Sequence, residues 1–369
     1  MIDRRFITNF DWLLLLVVIL ISTAGIINLY SAGNSADVEH NTIYTRQIYW
    51  VAISCVFMVC ILSVDYRRLA DWAGYIYGGM IVLLIAVYVV GKTVSGSQRW
   101  IDLGPLRFQP SEMAKLVTVI VLAAYFYRKD IKKGYGLKDL AIPTIIVLIP
   151  FVLIAKQPDL GTGLLLLCIL GSMVLFVRIK MGSFLVLLGF GLTSLPFLWS
   201  VLKDYQKRRV QSFLWPETDP LGSGYQCLQS KIAVGSGKIF GKGYLEGSQS
   251  KLNFLPEQHT DFALSVFAEE WGFVGCVLLI ALYFGFIFLA LNIAIRSKEK
   301  FGTLLSFGIV AMIFWQLVIN TCMVLGLLPV VGVPLPLISY GGSSTITTMA
   351  GVAMLLNIRM RRFMLQKGP

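Results

Sequence analysis

The chain has 369 residues, of which 56% are hydrophobic and 14% are charged, whereas roughly 25% of residues are charged in an average soluble domain. Its 32 Lys and Arg outnumber its 20 Asp and Glu, which gives a formal net charge of +12. This composition excludes an ordinary soluble enzyme and indicates an integral membrane protein built of helices, because helices satisfy their own backbone hydrogen bonds within the bilayer.

Apolar runs that approach or reach the length needed to cross a bilayer recur along the chain, bounded by charged residues or by Pro and Gly. They predict ten transmembrane helices, at 11–31, 47–64, 72–91, 110–127, 140–155, 161–177, 183–202, 262–295, 303–325 and 341–358. Because this number is even, both termini are expected on the same side of the membrane. The predicted fold class is an all-α polytopic membrane protein with about ten transmembrane helices, forming a single domain over residues 1–369.

Basic residues concentrate in the connections on the side of the two termini. These connections carry Lys and Arg near residues 4–5, 67–68, 128–138, 178–180, 296–300 and 359–367. By the positive-inside rule this side is cytoplasmic, so both termini are predicted to face the cytoplasm. The same distribution accounts for the net charge without a nucleic acid partner.

One connection is much longer than the others: residues 203–261 form a large external loop between predicted helices 7 and 8. It is rich in Gly, Ser and Gln but also contains aromatic and aliphatic residues, which favours an ordered cap packed on the membrane domain. It includes GSGKIFGKG (235–243), which departs from a phosphate-binding loop because Ser236 stands where the first glycine is required. Two histidines in the whole chain exclude a multi-histidine metal site.

Four polar stretches lie within or beside predicted spans, and the first is RWIDLGPLRFQPSEMAKL. Pro110 suits the first turn of a helix, so Glu112 and Lys115 follow on one face, three residues apart and able to pair in a low dielectric. One interpretation is a neutralised pair that fixes helix packing. The other is a cation positioned for an anionic substrate, with Arg107 and Gln109 beside it.

The second polar stretch, AKQPDLGTG, is a very short turn between two predicted spans. Asp159 is either a turn-forming residue, beside Pro158 and Gly161, or a carboxylate placed to bind a hydroxyl group or a metal. Ionisable groups at a membrane span are costly unless they are paired or solvated, so Asp159 is a candidate functional residue.

The third polar stretch, NFLPEQHTDFALSVFAEEWG, places Asp261 at the start of a strongly apolar run. Either Asp261 or Thr260 caps a helix that begins at Phe262, or Asp261 is a functional carboxylate, and the residues alone leave both interpretations open. Glu269 and Glu270 follow about 12–14 Å further along that helix, at a rise of 1.5 Å per residue.

The fourth polar stretch, LPVVGVPLPLISYGGSS, breaks the helical pattern with three prolines and three glycines. Irregular backbone at membrane depth is tolerated where it is covered by protein or lines a cavity. Its free amides, with the Ser343 and Ser344 hydroxyls that open the next helix, suit an anion such as pyrophosphate. An ordinary external hairpin is the alternative. All four stretches lie toward the external side in the predicted topology.

These stretches, in this order, resemble the SEDS family of bacterial shape, elongation, division and sporulation proteins over nearly the whole chain. The motifs that carry the resemblance are QRWIDLGPLRFQPSEMAK, QPDLGTG, DPLGSGYQCLQSKIAVGSG, GKGYLEGSQSKLNFLPEQHTDF, AEEWG and LPVVGVPLPLISYGGSS. The form of the fourth motif favours the elongation branch of the family over its division branch. Lys238, where a second glycine often follows GSG, and Trp271 are small departures.

The resemblance implies a peptidoglycan glycosyltransferase that polymerises lipid II at the outer face of the bacterial cytoplasmic membrane during cell elongation. Its implied partners are undecaprenyl-pyrophosphate-linked glycan, membrane lipid, a class B penicillin-binding protein and other proteins of the elongation complex. Asp261 matches the catalytic aspartate of the family and would be the general base toward the acceptor sugar. Glu112 and Lys115 match the family's ion pair, and Asp159 is implied to be sensitive to substitution.

Departure of undecaprenyl pyrophosphate requires stabilisation of negative charge. The basic residues on the external side that would supply it are Arg46, Arg107, Lys115, Arg208 and Arg209, and a divalent cation, Mg²⁺ or Mn²⁺, is a candidate for the rest. No nucleotide sugar is required, because the lipid diphosphate already activates the donor. Two other functional classes stay open: a lipid II flippase, and a non-catalytic scaffold that activates the penicillin-binding protein.

Overall fold

The computed structural model describes residues 9–33, 43–94, 97–103, 106–131, 134–215, 219, 222–252 and 254–362. Thirteen helices make up most of this described part. They are α1 (Trp12–Ala32), α2 (Ile43–Ser63), α3 (Arg68–Val90), α4 (Pro110–Arg128), α5 (Leu137–Lys156), α6 (Leu160–Phe176), α7 (Met181–Val201), α8 (Asp204–Leu214), α9 (Ser223–Ser236), α10 (Ser248–Lys251), α11 (Ala263–Arg296), α12 (Lys300–Val324) and α13 (Gly342–Arg361).

Each of the ten predicted transmembrane segments overlaps one of these helices, namely α1 to α7 and α11 to α13. Seven of them, α1 to α5, α11 and α12, are long and apolar enough to cross a membrane, and α6 and α7 contain shorter apolar helices. α13 is more polar because its first half carries several buried Ser and Thr side chains. The prediction of a helical, multi-pass membrane protein is confirmed, while the number of ten spans remains a prediction.

A small antiparallel sheet, which the sequence pattern does not predict, connects α3 to α4. Its strands are β1 (Lys92–Val94), β2 (Ser97–Leu103) and β3 (Leu106–Phe108), in the order β1-β2-β3. The fold is therefore an all-α bundle with one small sheet in a connection between helices. β3 leads through the extended Gln109 to Pro110 at the first position of α4, where the fixed φ of proline suits a helix start.

The most buried long helix is α4, whose residues are buried almost continuously from Pro110 to Phe126. It packs against α3, α5, α6, α12 and α13. Because α4 is surrounded by other helices, the ionisable residues in its first turns, Glu112 and Lys115, face protein and not lipid. Charges in such a place need a partner within the protein.

The long segment 203–261 contains helices α8, α9 and α10. α9 packs against α11 and α12, and Ser230 on α9 hydrogen-bonds to the Ser265 hydroxyl (2.8 Å) and to the carbonyl of Val324 (2.7 Å). The described residues of this segment are thus ordered against the bundle, in keeping with their content of apolar residues. The position of the segment outside the cell remains a prediction.

Helix α11 is broken at Gly272, whose backbone (φ 63°, ψ −163°) is not helical and lies in a region that glycine alone readily adopts. The amides of Phe273 and Val274 lose their helical partners at the break. They donate instead to the carbonyls of Lys238 (2.9 Å) and Ile239 (3.0 Å) in the loop that follows α9. The loop therefore satisfies backbone groups that the break leaves unpaired.

The same loop also holds the first part of α11. The amide of Lys242 donates to the carbonyl of Glu269 (3.0 Å), and the amide of Gly243 donates to the carbonyl of Glu270 (3.1 Å). The buried Glu269 carboxylate accepts from Lys242 Nζ at 2.6 Å and from a backbone amide at the start of α10 at 2.9 Å. The glycine-rich motif GSGKIFGKG is thus a packing loop against α11.

We expect Gly272→Ala to destabilise the protein, because an added Cβ would lie 2.2 Å from the amide nitrogen of Gly241. The strained backbone alone costs an alanine about 1–3 kcal/mol. Gly285→Ala in the same helix is the matched control, because a Cβ there meets no atom within 4 Å and alanine is the better helix former. Thermal unfolding of both variants in detergent tests this, and equal melting temperatures would contradict it.

Candidate active site

A cavity of about 380 Å³ lies beside the start of α11. Its walls come from strand β2 with the start of α4, the start of α6, helices α8 and α9, the loop before α11, and the irregular segment between α12 and α13. Polar stretches that are far apart in the sequence therefore meet at one end of the helix bundle.

Four helices, α4, α6, α11 and α13, begin at this cavity. The unpaired amides of a helix N-terminus are equivalent to roughly half a positive charge. Two arginine side chains, Arg99 and Arg209, also line the cavity. The helix starts and the arginines together make a recess that suits an anionic ligand.

Six of the eleven residues that the sequence predicts for the site line this cavity. They are Asp261, Gln109, Glu112, Arg209, Ser343 and Ser344. Two others, Lys115 and Asp159, are buried behind the wall and hydrogen-bond to residues that line it. The remaining three, Arg46, Arg107 and Arg208, are not among the residues that line it.

Three of the predicted arginines are exposed and do not belong to the cavity. Arg208 precedes Arg209 on α8, and consecutive residues of a helix with 3.6 residues per turn point about 100° apart, so only Arg209 faces inward. Arg107 lies 3.6 Å from Asp102 across the β2–β3 pair and is 62% exposed. Arg46 is exposed on α2. These three arginines therefore do not contribute positive charge to this cavity from its walls, contrary to the prediction for a pyrophosphate site.

Asp261 does not cap α11, contrary to one interpretation of the sequence. The helix begins at Ala263, and its N-cap residue Phe262 makes no side-chain capping hydrogen bond. Thr260 does not cap it either: its hydroxyl donates to Glu257 (3.0 Å), and no backbone amide of the described residues donates to it. The partly buried Asp261 carboxylate lines the cavity and accepts no hydrogen bond from the described residues. It is therefore available to a ligand.

Gly332, in the irregular segment before α13, lies next to the Asp261 carboxylate. Its φ is +74°, and an added Cβ would lie 3.3 Å from Asp261 Oδ2. Glycine adopts this backbone conformation at little cost, whereas any side chain would crowd the carboxylate. The glycine thus keeps space for a ligand beside Asp261.

The electrostatic surroundings of Asp261 favour its protonated form. Burial raises the pKa of the Asp261 carboxyl from 3.8 to about 7, and the negative charge of Glu257 adds to this increase. Arg209 and Arg99 lower the pKa, and Asp159 raises it. A carboxyl group with a pKa near neutrality is suited to accepting and releasing protons at physiological pH.

The irregular segment between α12 and α13 is packed into the protein and does not form a free hairpin. The amide of Tyr340 donates to the carbonyl of His259 (2.8 Å), which ties this segment to the loop before α11. The backbone amide of Gln109 donates to Ser343 Oγ (2.9 Å). Ser343 and Ser344 lie in the first turn of α13 and line the cavity, so that helix start faces the ligand space.

Asp159 connects several residues of the cavity wall. One carboxylate oxygen caps α6 by accepting from the amide of Thr162 (3.3 Å), and the other accepts from Gln109 Nε2 (3.2 Å) and Ser111 Oγ (3.1 Å). Arg99 lies 3.8 Å away. Because Asp159 is buried, it acts on the site by holding Gln109 and Arg99, which line the cavity.

The predicted pair between Glu112 and Lys115 is formed: Lys115 Nζ donates to Glu112 Oε2 at 2.7 Å. Glu112 lines the cavity, whereas Lys115 is buried behind it and does not. The charge of Lys115 is already neutralised by its partner. The geometry therefore favours a pair that fixes helix packing over a lysine that contacts an anionic substrate.

Twelve of the eighteen residues that line the cavity were not among the predicted site residues, and these include Arg99, Trp100 and Glu257. All three lie within motifs that the sequence already singled out, so their presence in the polar stretches was visible. The sequence did not show that the Arg99 and Trp100 side chains face the cavity, because these residues belong to strand β2, which the sequence pattern does not predict.

Comparison with known proteins finds relatives that match this chain over nearly its whole length. The model of the FtsW, RodA and SpoVE family, described as cell cycle proteins, matches residues 11–363. The chain is 43% identical over 360 residues to the peptidoglycan glycosyltransferase MrdB of Escherichia coli strain K12, covering 96% of this chain and 94% of that protein. It is 33% identical over 431 residues to the peptidoglycan glycosyltransferase RodA of Treponema pallidum, covering 97% and 99%.

Two solved structures have a similar fold. A chain of a peptidoglycan synthase complex, which coordinates polymerization and crosslinking, matches with a TM-score of 0.81 and 34% identity over 96% of this chain and 98% of that chain. The crystal structure of the rod shape determining protein RodA of Thermus thermophilus matches with a TM-score of 0.72 and 31% identity, over 96% and 98%. The likeness extends over nearly the whole chain.

Proposed function

This chain belongs to the FtsW, RodA and SpoVE family of cell cycle proteins, and on that premise we propose that it polymerises lipid II into glycan strands with Asp261 as the general base. It is a peptidoglycan glycosyltransferase, like its named relatives. The observation that carries the proposed role of Asp261 is its carboxylate, which lines the cavity, accepts no hydrogen bond from the described residues and has a pKa raised to about 7.

In the proposed reaction, Asp261 takes the proton from a hydroxyl group of the acceptor sugar. The hydroxyl oxygen attacks the anomeric carbon of the donor sugar and forms the new glycosidic bond. The bond between that carbon and the lipid diphosphate breaks, and the diphosphate leaves with the bonding electrons. The proton on Asp261 then passes to water. A general base of this kind needs a pKa near the working pH, which burial of Asp261 supplies.

The leaving diphosphate is proposed to lie between the arginine side chains and the start of α13. Arg99 and Arg209 line the cavity together with Ser343 and Ser344, and the first amides of a helix bind phosphate groups well. Positive groups fixed in place before the reaction stabilise the charge that develops on the diphosphate. This assignment replaces the exposed Arg46, Arg107 and Arg208.

A divalent cation would have few protein ligands here. The described residues contain no group of three His, Cys, Asp or Glu side chains that could hold a metal ion. Mg²⁺ is commonly bound by one or two carboxylates together with substrate phosphates. Glu257, which lines the cavity, would fit that mode, and a bound cation would supply further charge for the diphosphate.

The protein is a multi-pass membrane protein, and we place its cavity at the outer face of the bacterial cytoplasmic membrane with both termini in the cytoplasm. The similar chain in a peptidoglycan synthase complex supports a class B penicillin-binding protein as partner, within a larger elongation complex. Because the proposed base and the cavity arginines belong to this chain, the partner is expected to move its helices and not to donate catalytic groups.

Reconstitution with lipid II tests the proposed function. The purified chain is combined with a class B penicillin-binding protein whose transpeptidase nucleophile has been replaced, so that glycan polymerisation alone is measured. Polymer formation is the expected result. Movement of lipid II between leaflets without polymer would favour a flippase instead. If the complex neither polymerises nor moves lipid II, but a third enzyme added to it forms polymer, the chain would be a scaffold. Either of these two outcomes would overturn the proposal.

The polymerisation rate is expected to rise with pH through about 7, because Asp261 accepts a proton only when it is deprotonated and its pKa is raised to about 7. The deprotonated fraction falls about tenfold for each pH unit below the pKa and is constant well above it. Glu257→Gln removes a negative charge that raises this pKa, so its profile should shift to lower pH. Initial rates between about pH 5 and 9 measure both effects. A flat wild-type profile would contradict the role of Asp261.

A further inference from the structure

We propose that Asn320 is a positioning residue for glycosyl transfer, whose side chain joins the backbone of Asp261 to the neighbouring irregular segment before α13. The proposal rests on the proposed function of Asp261 as the general base. Asn320 lies on α12 and is not among the residues that line the cavity. It therefore acts on the reaction through Asp261 and not by touching the substrate.

The amide nitrogen of Asn320 donates two hydrogen bonds. Nδ2 lies 2.8 Å from the carbonyl oxygen of Asp261 and 2.8 Å from the carbonyl oxygen of Val333. An asparagine amide has two N–H donors, and both are used here. Asp261 belongs to the loop before α11, and Val333 belongs to the irregular segment before α13. One side chain thus sets the spacing between two walls that share no regular secondary structure.

The flanking residues of Asp261 have tethers of their own. Asn28 on α1 donates to the carbonyl of Ala263 (2.9 Å), and a backbone amide before α13 donates to the carbonyl of His259 (2.8 Å). Only the bond from Asn320 reaches the backbone of Asp261 itself among the hydrogen bonds of the described chain. Asn320 is fully buried, so water does not readily replace this bond.

The carboxylate of Asp261 depends on this bond for its position. Since the side chain accepts no hydrogen bond from the described residues, its place in the cavity is set by its own backbone and by the space beside Gly332. Displacement of a catalytic group by about 1 Å can reduce a rate about a hundredfold. Loss of the Asn320 donor should therefore lower kcat and leave KM, which depends on other residues, nearly unchanged.

Asn357 is a matched control in the same chain. It is also buried, and its Nδ2 donates to the carbonyls of Ile61 (2.8 Å) and Val64 (2.6 Å) near the end of α2. Along α13 it lies about 20 Å from Ser343 at 1.5 Å per residue. Asn357 thus also donates to two backbone carbonyls, one in the last turn of α2 and one just beyond it, and its Oδ1 accepts from Arg361 Nε (2.9 Å). These bonds lie far from the cavity.

The experiment compares Asn320→Leu with Asn357→Leu in purified complexes that polymerise lipid II. Leucine has the same branching as asparagine but no donor, so each substitution leaves buried carbonyl groups unpaired and should lower the melting temperature. We expect the kcat of Asn320→Leu to fall at least about tenfold, with KM within about twofold of the wild type. Asn357→Leu should keep the wild-type kcat.

Two results would overturn this proposal: a kcat for Asn320→Leu within about twofold of the wild type, or an equal loss of kcat in both variants. If Asn320→Leu is not recovered as a folded protein, Asn320→Ala replaces it, because alanine also lacks both donors and adds neither bulk nor charge. Asp261→Asn is measured alongside. If Asp261→Asn is active, the proposed function itself is wrong. If Asp261→Asn is inactive and Asn320→Leu is fully active, only the positioning role of Asn320 is wrong.

Discussion

Asp261→Asn is expected to reduce glycan polymerisation by at least about a hundredfold, because a general base typically contributes 10²–10⁴-fold to a rate. Asparagine is nearly the same size as aspartate but does not take up a proton. Since α11 has no side-chain cap, the substitution removes no capping interaction. Folding, membrane insertion and association with the penicillin-binding partner should therefore be preserved.

Asp261→Asn is expected to lower activity but not to lower the stability of the folded protein. Burial raises the pKa of Asp261 to about 7 in the folded protein, above its value in the unfolded chain. The stability that goes with the protonated carboxyl is present at low pH and is lost as the pH rises through about 7. Because asparagine carries no charge to bury, Asp261→Asn should melt at the same temperature as the wild type, or at a higher one, under mildly alkaline conditions.

The measurement for Asp261→Asn is the polymer formed from lipid II by purified complexes, with expression and complex recovery determined in parallel. Asp204→Asn is a suitable control, because Asp204 is an exposed carboxylate in the first turn of α8 and should tolerate the same chemical change. Near wild-type polymerisation by Asp261→Asn would show that the carboxylate is dispensable. The proposed mechanism would then be wrong.

Glu112→Gln and Lys115→Met are each expected to destabilise the protein by on the order of 3–5 kcal/mol, because each leaves one charge buried without its partner. The two side chains are almost fully buried and their charged atoms are 2.7 Å apart. Glu112 also lines the cavity. Polymerisation activity should therefore fall together with stability in both single variants.

The double variant Glu112→Gln with Lys115→Met separates the charge from the packing. With neither charge left, it should regain much of the lost stability, and the difference from the sum of the single effects gives the coupling energy. Lys300→Met, which breaks the more exposed pair with Asp130, is the comparison and should cost less than about 1 kcal/mol. Wild-type activity and melting temperature in both single variants would contradict the importance of this pair.

Local sequence patterns predicted the helices well, because the hydrophobicity of a run of about 20 residues decides whether it crosses a bilayer. All ten predicted spans overlap helices in the structure. The small sheet was missed because β1 and β3 are only three residues long. Such short strands are stabilised by pairing across the sheet and carry little periodic signal of their own.

Spacing along the chain was enough to predict the contact between Glu112 and Lys115, because residues three apart on a helix are neighbours. It was not enough for Arg208 and Arg209. Which of two consecutive arginines faces a cavity depends on the rotation of α8 about its axis, and packing against other elements sets that rotation.

The sequence by itself determined that this protein is a membrane-embedded helical protein, and it singled out Asp261 through its polar position before an apolar run and through its family motif. Only the tertiary structure decided that Asp261 does not cap α11, that Arg99 lines the same cavity, and that Asn320 bonds to the Asp261 backbone. Hydrophobicity and helical spacing are properties of neighbouring residues. The cavity, in contrast, arises where the starts of α4, α6, α11 and α13 pack together, and contacts between residues far apart in sequence depend on that packing.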